Sequence, residues 1–362
     1  MKGRGIMSDK EAFSKNNERN NKKSNKNKKG KKKKKSLGFK IGVTLLILLV
    51  LSVTIISTIF FNTVNKLNRV ELDNANLGIA EPEELEEYDN YDKITNIALF
   101  GIDAEGTGDV GRSDSIMIVT IDPIHDKLKI TSLMRDTYVN IDGYGYDKLN
   151  HAYAYGGPEL AIKTINKNFG LNIKNFATVN FSTLPQIIDL VGGIEINITE
   201  EELPYLNAVI ESSHTSYGMP LDFIDYSGIQ TLNGAQALAY TRNRSTGGGD
   251  FERTQRQRTV IEALFKKGLA TPVSSYPSIL SNVLPLITTN MSSSNILSFA
   301  KNVIGLGNGI LEQERFPRDE YSQGGIAEDG VWYLMYDEEP TRQQIRDYIF
   351  DDKHPDDNLQ SP

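Results

Sequence analysis

The alternation of apolar and polar positions divides the chain into three parts. The first is an uninterrupted apolar run, residues 41–61, which contains no charged side chain. As a helix it would be about 30 Å long, the thickness of a bilayer's hydrocarbon core. A buried core helix and a cleaved signal peptide are the alternatives, but the run ends at Phe60-Phe61-Asn62 without the small residues of a cleavage site. The pattern therefore predicts a transmembrane helix over 38–62.

The second part is strongly acidic. Between Glu71 and Asp92 there are nine acidic residues and no basic one. Such a stretch repels itself and extends. Residues 63–92 are therefore predicted to form an acidic extracytoplasmic linker that holds the rest of the chain away from the membrane.

From residue 93 onward, apolar segments recur at the lengths and spacings of strands and helices. Strands are predicted over four segments: Ile94–Ile102, Ser115–Asp122, Lys127–Met134 and Gly193–Ile198. Helices are predicted over 157–168 and 250–267, and a short helix or turn followed by a strand over 235–244. Because strands and helices alternate, residues 93–350 are predicted to form an α/β domain with a mixed central β-sheet flanked by helices. A tail, 351–362, follows the domain.

The distribution of charge agrees with a membrane topology. The net charge of −7 hides an asymmetry, since residues 1–40 carry 16 Lys and Arg against 3 Asp and Glu. Residues 1–37 have few large apolar side chains and are predicted to be a disordered basic cytoplasmic tail. By the positive-inside rule, the lysine run 31–35 keeps the N-terminus in the cytoplasm and places the main domain outside the cell membrane. The same tail can contact anionic membrane lipid through charge alone.

Composition excludes several kinds of chemistry. The chain has no cysteine, which rules out disulfides, zinc–cysteine sites and a thiol nucleophile. The four histidines are scattered, so magnesium or manganese is a better candidate than a softer metal. The sequence has no helix-turn-helix pattern, and no nucleic-acid partner is predicted.

Two aspartates are candidate metal ligands. Asp103 ends the first predicted strand, and Asp114 follows a short loop. Mg²⁺ typically takes one or two carboxylates and completes its octahedron with water and substrate phosphate oxygens. Two ordinary loop aspartates are the alternative interpretation.

Three arginines suggest an anion site. Arg135 follows directly on an apolar strand, where a surface ion pair is the alternative. Arg242 and Arg244 are two residues apart, so on an extended chain they share one face and repel unless an anion lies between them. Guanidinium groups grip phosphate through paired hydrogen bonds, which makes a phosphate group a suitable anion.

The glycine-rich stretch that follows adds further cations. It leads into a helix that Asp250 is predicted to cap, with Arg253, Arg256 and Arg258 in the first turns. Cations at that end oppose the helix dipole, so a structural role alone does not favour them. Arg253 and Gln257 are four residues apart and share a helix face. A site for a multiply charged anion is one interpretation, and a solvated basic face is the other.

Seven sequence blocks together resemble the LytR–CpsA–Psr family, in its order and at its spacing behind a single N-terminal span. The blocks are NIALFGID (96–103), RSD (112–114), MRDTYV (134–139), KLNHAYAYGG (148–157), DLVGGI (189–194), LNGAQALAYTRNR (232–244) and GDFERTQRQ (249–257). Met134 and His151 depart from the family pattern, which has proline and a small residue there. Neither departure touches the charged set.

The resemblance implies a phosphotransferase of a Gram-positive cell membrane. It would move a glycopolymer, a teichoic acid or capsule-type polysaccharide, from a polyprenyl-pyrophosphate carrier to a peptidoglycan sugar hydroxyl through a phosphodiester link. A polyprenyl-pyrophosphate hydrolase and a membrane-bound transcriptional attenuator are the alternatives. Polymer release without an acceptor would favour the hydrolase.

The resemblance also implies roles for individual residues. Asp103 and Asp114 would bind Mg²⁺, with Mn²⁺ as a substitute. The expected catalytic residues are Asp103, Arg135 and Asp250, and the sequence does not choose between the two aspartates as the base. The expected pyrophosphate-binding set is Arg112, Arg135, Arg242, Arg244, Arg253 and Gln257.

Overall fold

The computed structural model describes Asn62 and residues 66–103, 111–244, 249–306 and 311–356. The predicted basic tail (1–37) lies outside these residues, as does the predicted transmembrane helix (38–62) apart from Asn62. No helix within the described ranges is long and apolar enough to cross a membrane.

A seven-stranded mixed sheet forms the centre of the fold, together with three separate two-stranded antiparallel sheets. In chain order the strands are β1 (Asn68–Arg69), β2 (Thr95–Asp103), β3 (Arg112–Asp122), β4 (Lys127–Leu133), β5 (Tyr138–Ile141), β6 (Gly145–Lys148), β7 (Asn175–Asn180), β8 (Ile194–Ile198), β9 (Gly228–Leu232), β10 (Ile287–Thr289), β11 (Leu311–Phe316), β12 (Ser322–Ile326) and β13 (Trp332–Tyr336). The sheet order is β1-β10-β7-β2-β3-β4-β11. β3 runs antiparallel to β2 and β4, whereas β7 is parallel to β2. The predicted mixed α/β sheet is confirmed.

Helices cover both faces of this sheet. They are α1 (Pro82–Leu85), α2 (His151–Phe169), α3 (Leu184–Leu190), α4 (Glu202–Tyr217), α5 (Gly234–Arg242), α6 (Gly249–Ala270), α7 (Tyr276–Val283), α8 (Ser293–Gly305) and α9 (Glu338–Phe350). Successive side chains along each strand point to opposite faces of the sheet. Phe100 and Ile118 join a core that includes residues of α2 and α9, while Ile97 packs in a smaller cluster with Phe265 and Phe299. The antiparallel strands β8 and β9 pack with helices α3 to α6 in a separate small core.

One predicted element is confirmed and another ends differently. The helix predicted over 157–168 corresponds to the part of α2 that follows a kink at the non-helical Gly156 and Gly157, and an additional turn from His151 precedes the kink. The strand predicted after residue 235 is not formed, since α5 continues to Arg242 and only Asn243 is extended. Arg242 and Arg244 therefore do not share one face of a strand.

The segment predicted as an acidic linker, 63–92, packs onto the domain over its described part. Leu77, Leu85 and Tyr88 are almost completely buried in the main core. The Arg346 guanidinium lies 3.0 Å from a Glu84 carboxylate oxygen. The prediction of an extended linker is wrong here because it weighed the acidic residues and neglected the apolar ones spaced between them.

The predicted C-terminal tail, 351–362, also packs onto the domain where it is described. The Asp352 carboxylate lies 2.9 Å from the Nζ of the fully buried Lys129 and 2.6 Å from that of Lys127. Burial disfavours the charged carboxylate, but hydrogen bonds from these two lysines hold the pKa of Asp352 below its ordinary value. The domain therefore extends at least to this residue.

Replacing Leu77 by alanine tests whether the former linker belongs to the fold. Its side chain is fully buried, so the substitution is expected to lower the free energy of unfolding by about 2–5 kcal/mol. Val70→Ala in the same segment is the control, because Val70 is 39% exposed and should cost about 0.5 kcal/mol or less. Equal denaturant midpoints for the two variants would show that the segment does not contribute to the core.

Candidate active site

The ends of β2 and β4, the start of β3 and the first turn of α2 enclose a cleft of about 710 Å³. Its lining is mostly charged or polar: Asp103, Gly111, Arg112, Asp114, Arg135, Asp136, Lys148, Asn150, His151 and Ala154. Asp103 and Arg112 are cross-strand neighbours next to an irregularity in the β2–β3 register. The register thus places a predicted metal ligand beside a predicted phosphate ligand.

Arg135 lies at the centre of the charged network. Its Nη1 donates to Asp114 Oδ1 at 2.7 Å, and its Nε donates to Asp250 Oδ2 at 3.0 Å. Burial opposes the positive charge, but the surrounding carboxylates raise the pKa of Arg135 above its ordinary value. This guanidinium is therefore a fixed positive charge at the exit of β4.

Arg253 approaches the same network from helix α6. Its Nη2 donates to Asp250 Oδ2 at 3.0 Å and to the Asp114 backbone oxygen at 3.3 Å. Burial, followed by repulsion from Arg135, lowers the pKa of Arg253 to about 10, although Asp250 acts in the opposite direction. The group is still protonated at neutral pH, and its buried Nε has no hydrogen-bond partner among the described residues.

Asp114 is held ionised by its neighbours. Burial alone would raise the pKa of this carboxyl, but Arg135, Arg253 and a hydrogen bond from Asn150 together keep it below its ordinary value. Asn150 Nδ2 donates to Asp114 Oδ1 at 3.3 Å, the same oxygen that Arg135 contacts. The contacts of Asp114 are thus concentrated on Oδ1.

The donor chemistry of the cleft fits a hard cation. Asp103 Oδ1 accepts a hydrogen bond from Arg242 Nη2 at 3.3 Å, and Asp114 Oδ1 accepts one from Arg135 Nη1. In each aspartate, a single carboxylate oxygen therefore accepts the side chain's hydrogen bonds. Among the described residues, the second oxygen of each carboxylate has no hydrogen-bond partner and would be available to hold a metal ion. Within the described residues, Glu314, His354 and Asp356 form the group of three side chains close enough together to hold a metal ion, and this group lies outside the cleft lining. The guanidinium of Arg318 contacts both of its carboxylates.

Arg242 and Arg244 reach the site from the end of α5. Arg242 contacts Asp103 and lies over the Phe181 ring, with 5.7 Å between its Cζ and the ring centroid. Arg244 is half exposed, and its Nε is 3.9 Å from Asp250 Oδ1. The sequence interpretation that these arginines repel across an empty space is therefore wrong, because aspartates lie next to each of them.

Gln257 does not line the charged cleft. It lines a second cavity of about 250 Å³ with a predominantly apolar wall, which includes Leu99, Met117, Val179, Leu184, Val260 and Leu264. Gln257 lies one helical turn beyond Arg253, and Phe181 lines this cavity while also contacting Arg242. The apolar cavity is therefore adjacent to the arginine network.

Two arginines of the same helix have structural partners instead. Arg256 is buried and donates to Glu202 Oε1, Glu252 Oε2 and the Asn243 backbone oxygen, each at 3.0 Å. These contacts join α6 to α4 and to the end of α5. The position of Arg256 near the start of the helix is thus explained by these partners. Arg258 donates to Gln255 Oε1, and burial and repulsion from Arg315 lower its pKa to about 10.

Sequence reasoning missed several residues of the cleft. Asp136, Lys148, Asn150 and His151 line it, although they had been noted only as parts of family blocks. Lys148 Nζ pairs with Asp136 Oδ1 at 2.8 Å. The available signal was the polar character of the stretch 147–151 directly before a predicted helix.

The fold and the site together define a mixed α/β domain with an arginine-rich cleft beside an apolar cavity. A sequence profile described as the LytR_cpsA_psr family matches residues 59–347, and the chain belongs to that family. A polyisoprenyl-teichoic acid–peptidoglycan teichoic acid transferase TagU from Bacillus mycoides is 35% identical over 254 residues, which are 69% of this chain and 76% of the relative. The TagU of Enterococcus faecalis is 34% identical over 255 residues, 69% of this chain and 77% of the relative.

Solved structures share the fold. The protein gbs0355 from Streptococcus agalactiae is similar with a TM-score of 0.62 and 27% identity, covering 78% of this chain and 99% of that chain. The LytR-CPS2A-psr family protein YwtF (TagT), solved with bound octaprenyl pyrophosphate lipid, has a TM-score of 0.57 and 23% identity over 78% of this chain and 98% of its own. At that identity the second similarity concerns the fold alone.

Proposed function

We propose that this protein transfers a glycopolymer from a polyprenyl-pyrophosphate carrier to a sugar hydroxyl of peptidoglycan. One observation carries the proposal: a cluster of arginines lies directly beside an apolar cavity. A lipid pyrophosphate has the same division between an anionic head and an apolar chain. The names of the TagU relatives describe teichoic acid transfer to peptidoglycan, which agrees with this chemistry.

The charge balance of the site suits a pyrophosphate. Six cations lie in or next to the cleft with four aspartates: Arg112, Arg135, Lys148, Arg242, Arg244 and Arg253 against Asp103, Asp114, Asp136 and Asp250. The excess of positive charge attracts a multiply charged anion, and guanidinium forks form paired hydrogen bonds with phosphate oxygens. Gln257 lies at the boundary with the apolar cavity, where the head of the lipid meets its chain.

In the proposed reaction, the sugar hydroxyl attacks the phosphorus atom that carries the glycopolymer. A new O–P bond forms, the P–O bond to the carrier's phosphate breaks, and lipid monophosphate leaves with the electron pair. Arg135 and Arg253 neutralise the charge that spreads over the phosphoryl oxygens in the transition state. Because these guanidiniums are held in place by Asp114 and Asp250, little reorganisation is needed during the reaction.

Asp250 acts in this scheme as an orienting counter-ion. Arg135 and Arg253 both donate to Oδ2, and Arg244 lies near Oδ1. Because both carboxylate oxygens of Asp250 face arginines, we assign it to positioning these side chains. Asp103 and Asp114 would hold Mg²⁺ or Mn²⁺, and a bound cation would supply Lewis-acid stabilisation of phosphate oxygens.

The proposal includes a membrane location. The uncharged run 41–61, preceded by the lysine run 31–35, is suited to a single span with a cytoplasmic N-terminus. An extracytoplasmic domain would meet peptidoglycan on the outer surface and the lipid-linked donor in the membrane. Peptidoglycan, the donor and membrane lipid are the partners in this proposal, with no role for nucleic acid.

A direct assay tests the function. The full chain is mixed with polyprenyl-pyrophosphate-linked donors of several glycopolymers and with uncrosslinked peptidoglycan, and polymer attached to peptidoglycan is measured. Attachment is expected together with release of lipid monophosphate, and chelation is expected to abolish it until Mg²⁺ or Mn²⁺ is restored. Polymer release at the same rate with and without peptidoglycan would identify a hydrolase instead. Full transfer in excess chelator would exclude the metal role alone.

A further inference from the structure

An exposed pair of tyrosines lies at the rim of the cleft. The rings of Tyr144 and Tyr155 are stacked, with 4.4 Å between centroids and 10° between planes. They remain 57% and 42% exposed. An exposed aromatic surface beside a cleft is suited to contact with a ligand.

A histidine–aspartate pair joins these tyrosines to the cleft. Asp147 Oδ2 accepts a hydrogen bond from Tyr155 Oη at 2.6 Å and lies 2.7 Å from His151 Nδ1. Burial would raise the pKa of Asp147, but the hydrogen bonds from Tyr155 and His151 keep it below its ordinary value. An Nδ1–H that donates a hydrogen bond to this carboxylate would leave Nε2 as the acceptor nitrogen of the imidazole. No described residue forms a hydrogen bond with Nε2, and His151 lines the cleft.

The backbone holds this rim in place. Tyr144 ends the tight β5–β6 turn, where Gly143 has a φ of +82° that other residues rarely adopt. Asp142 in the same turn pairs with Lys163 Nζ of α2 at 2.5 Å. The non-helical Gly156 and Gly157 end the first turn of α2 just after Tyr155. His151 and Tyr155, four residues apart, consequently share one face of that turn.

The rim and the apolar cavity are built from different residues. The cavity is lined from β2, β3, β7, α3 and α6, whereas the rim belongs to the β5–β6 hairpin and the first turn of α2. A lipid chain in the cavity therefore leaves the rim free for a second substrate. A pyranose ring has an apolar face of C–H groups and a polar edge, which matches a tyrosine face bordered by hydrogen-bonding groups.

We infer that Tyr144, Asp147, His151 and Tyr155 form the subsite for the acceptor sugar of peptidoglycan, and that His151 Nε2 takes the proton of the attacking hydroxyl. The inference rests on the proposed transferase function. As the hydroxyl oxygen bonds to phosphorus, its proton moves to Nε2 and later passes to solvent, while the carrier phosphate leaves with its electron pair. The tyrosine pair binds the sugar ring, and Asp147 orients the imidazole.

The other candidate bases are less suitable. Asp250 is engaged by arginines, and Asp103 is paired with Arg242 and is a proposed metal ligand. The charged groups that share the cleft with His151 are Asp103, Arg112, Asp114, Arg135, Asp136 and Lys148. Among the described residues, none of these groups forms an ion pair with the imidazole, whose partner is Asp147.

Three variants of the full chain test the inference, with donor and uncrosslinked peptidoglycan as substrates. Tyr144→Ala is expected to raise the KM for peptidoglycan about fivefold with little change in kcat. His151→Ala is expected to lower kcat about a hundredfold while binding of a polyprenyl pyrophosphate stays normal, and added imidazole should restore part of the rate. Tyr226→Ala is the control, because this tyrosine is 61% exposed and does not line the cleft.

The outcomes separate this inference from the function on which it rests. If the wild-type protein transfers polymer but Tyr144→Ala keeps the wild-type KM for peptidoglycan, the acceptor subsite is wrong and the transferase function stands. The same holds if His151→Ala keeps the wild-type kcat. A wild-type protein that binds donor but never transfers to peptidoglycan would overturn both. Melting temperatures of the variants show whether any loss arises from unfolding, and a loss that imidazole rescues cannot be a folding defect.

Discussion

Replacing Arg135 by alanine is expected to abolish transfer and to weaken the fold at the same time. The guanidinium binds Asp114 and Asp250, and all three side chains are largely buried. Its removal leaves two carboxylates without their main partner, which should cost about 2–4 kcal/mol of unfolding free energy after allowance for partial exposure. Loss of the central cation should reduce transfer by about a thousandfold, the upper range for one transition-state contact. Denaturant unfolding and transfer kinetics measure the two effects.

Two further variants distinguish charge from geometry. Arg135→Lys keeps the charge but loses the planar fork, so it should recover part of the stability and little of the activity. Combining Arg135→Ala with Asp114→Asn removes one of the stranded carboxylates, so the double variant should be more stable than Arg135→Ala yet equally inactive. Near-normal transfer in Arg135→Ala would contradict the proposed site, whatever its stability.

The sequence predicted the centre of the fold better than its edges. The strands that became β2, β3 and β4 were recognisable because each carries continuous or alternating apolar residues. The segment 66–92 was misjudged because its apolar residues are few and widely spaced, and only tertiary contacts show that Leu77 and Leu85 are buried. The short turn of α2 that begins at His151 was not predicted, because Gly156 and Gly157 separate it from the main helix.

The candidate site was predicted in part for similar reasons. Arg135, Arg253 and Asp250 could be nominated because charges beside apolar segments are costly without a role. Their mutual pairing could not be predicted, since it joins residues more than 100 positions apart in the chain, as in the 3.0 Å contact between Arg135 and Asp250. The role of Arg256 was likewise hidden, because its partner Glu202 belongs to another helix.

Arg244→Ala is expected to separate function from stability most clearly. Its side chain is 52% exposed and its contact with Asp250, at 3.9 Å, is long. Exposed ion pairs contribute about 0–1 kcal/mol, so the melting temperature of the ligand-free domain should hardly change. Transfer should fall at least about tenfold, because a charge-assisted contact to the pyrophosphate is lost. Stabilisation of the domain by a polyprenyl pyrophosphate should weaken accordingly, since that shift follows ligand affinity.

Lys266→Ala provides the matched control for this last variant. Lys266 is 68% exposed and pairs with Glu262 along helix α6, away from the cleft lining. Its removal should leave both transfer and the ligand-induced thermal shift unchanged. Arg242→Ala should lower the melting temperature more than either of these variants, because Arg242 also packs on Phe181 and contacts Asp103. If Arg244→Ala lowered the melting temperature clearly while transfer stayed normal, Arg244 would support the fold, and the pyrophosphate would have to bind without it.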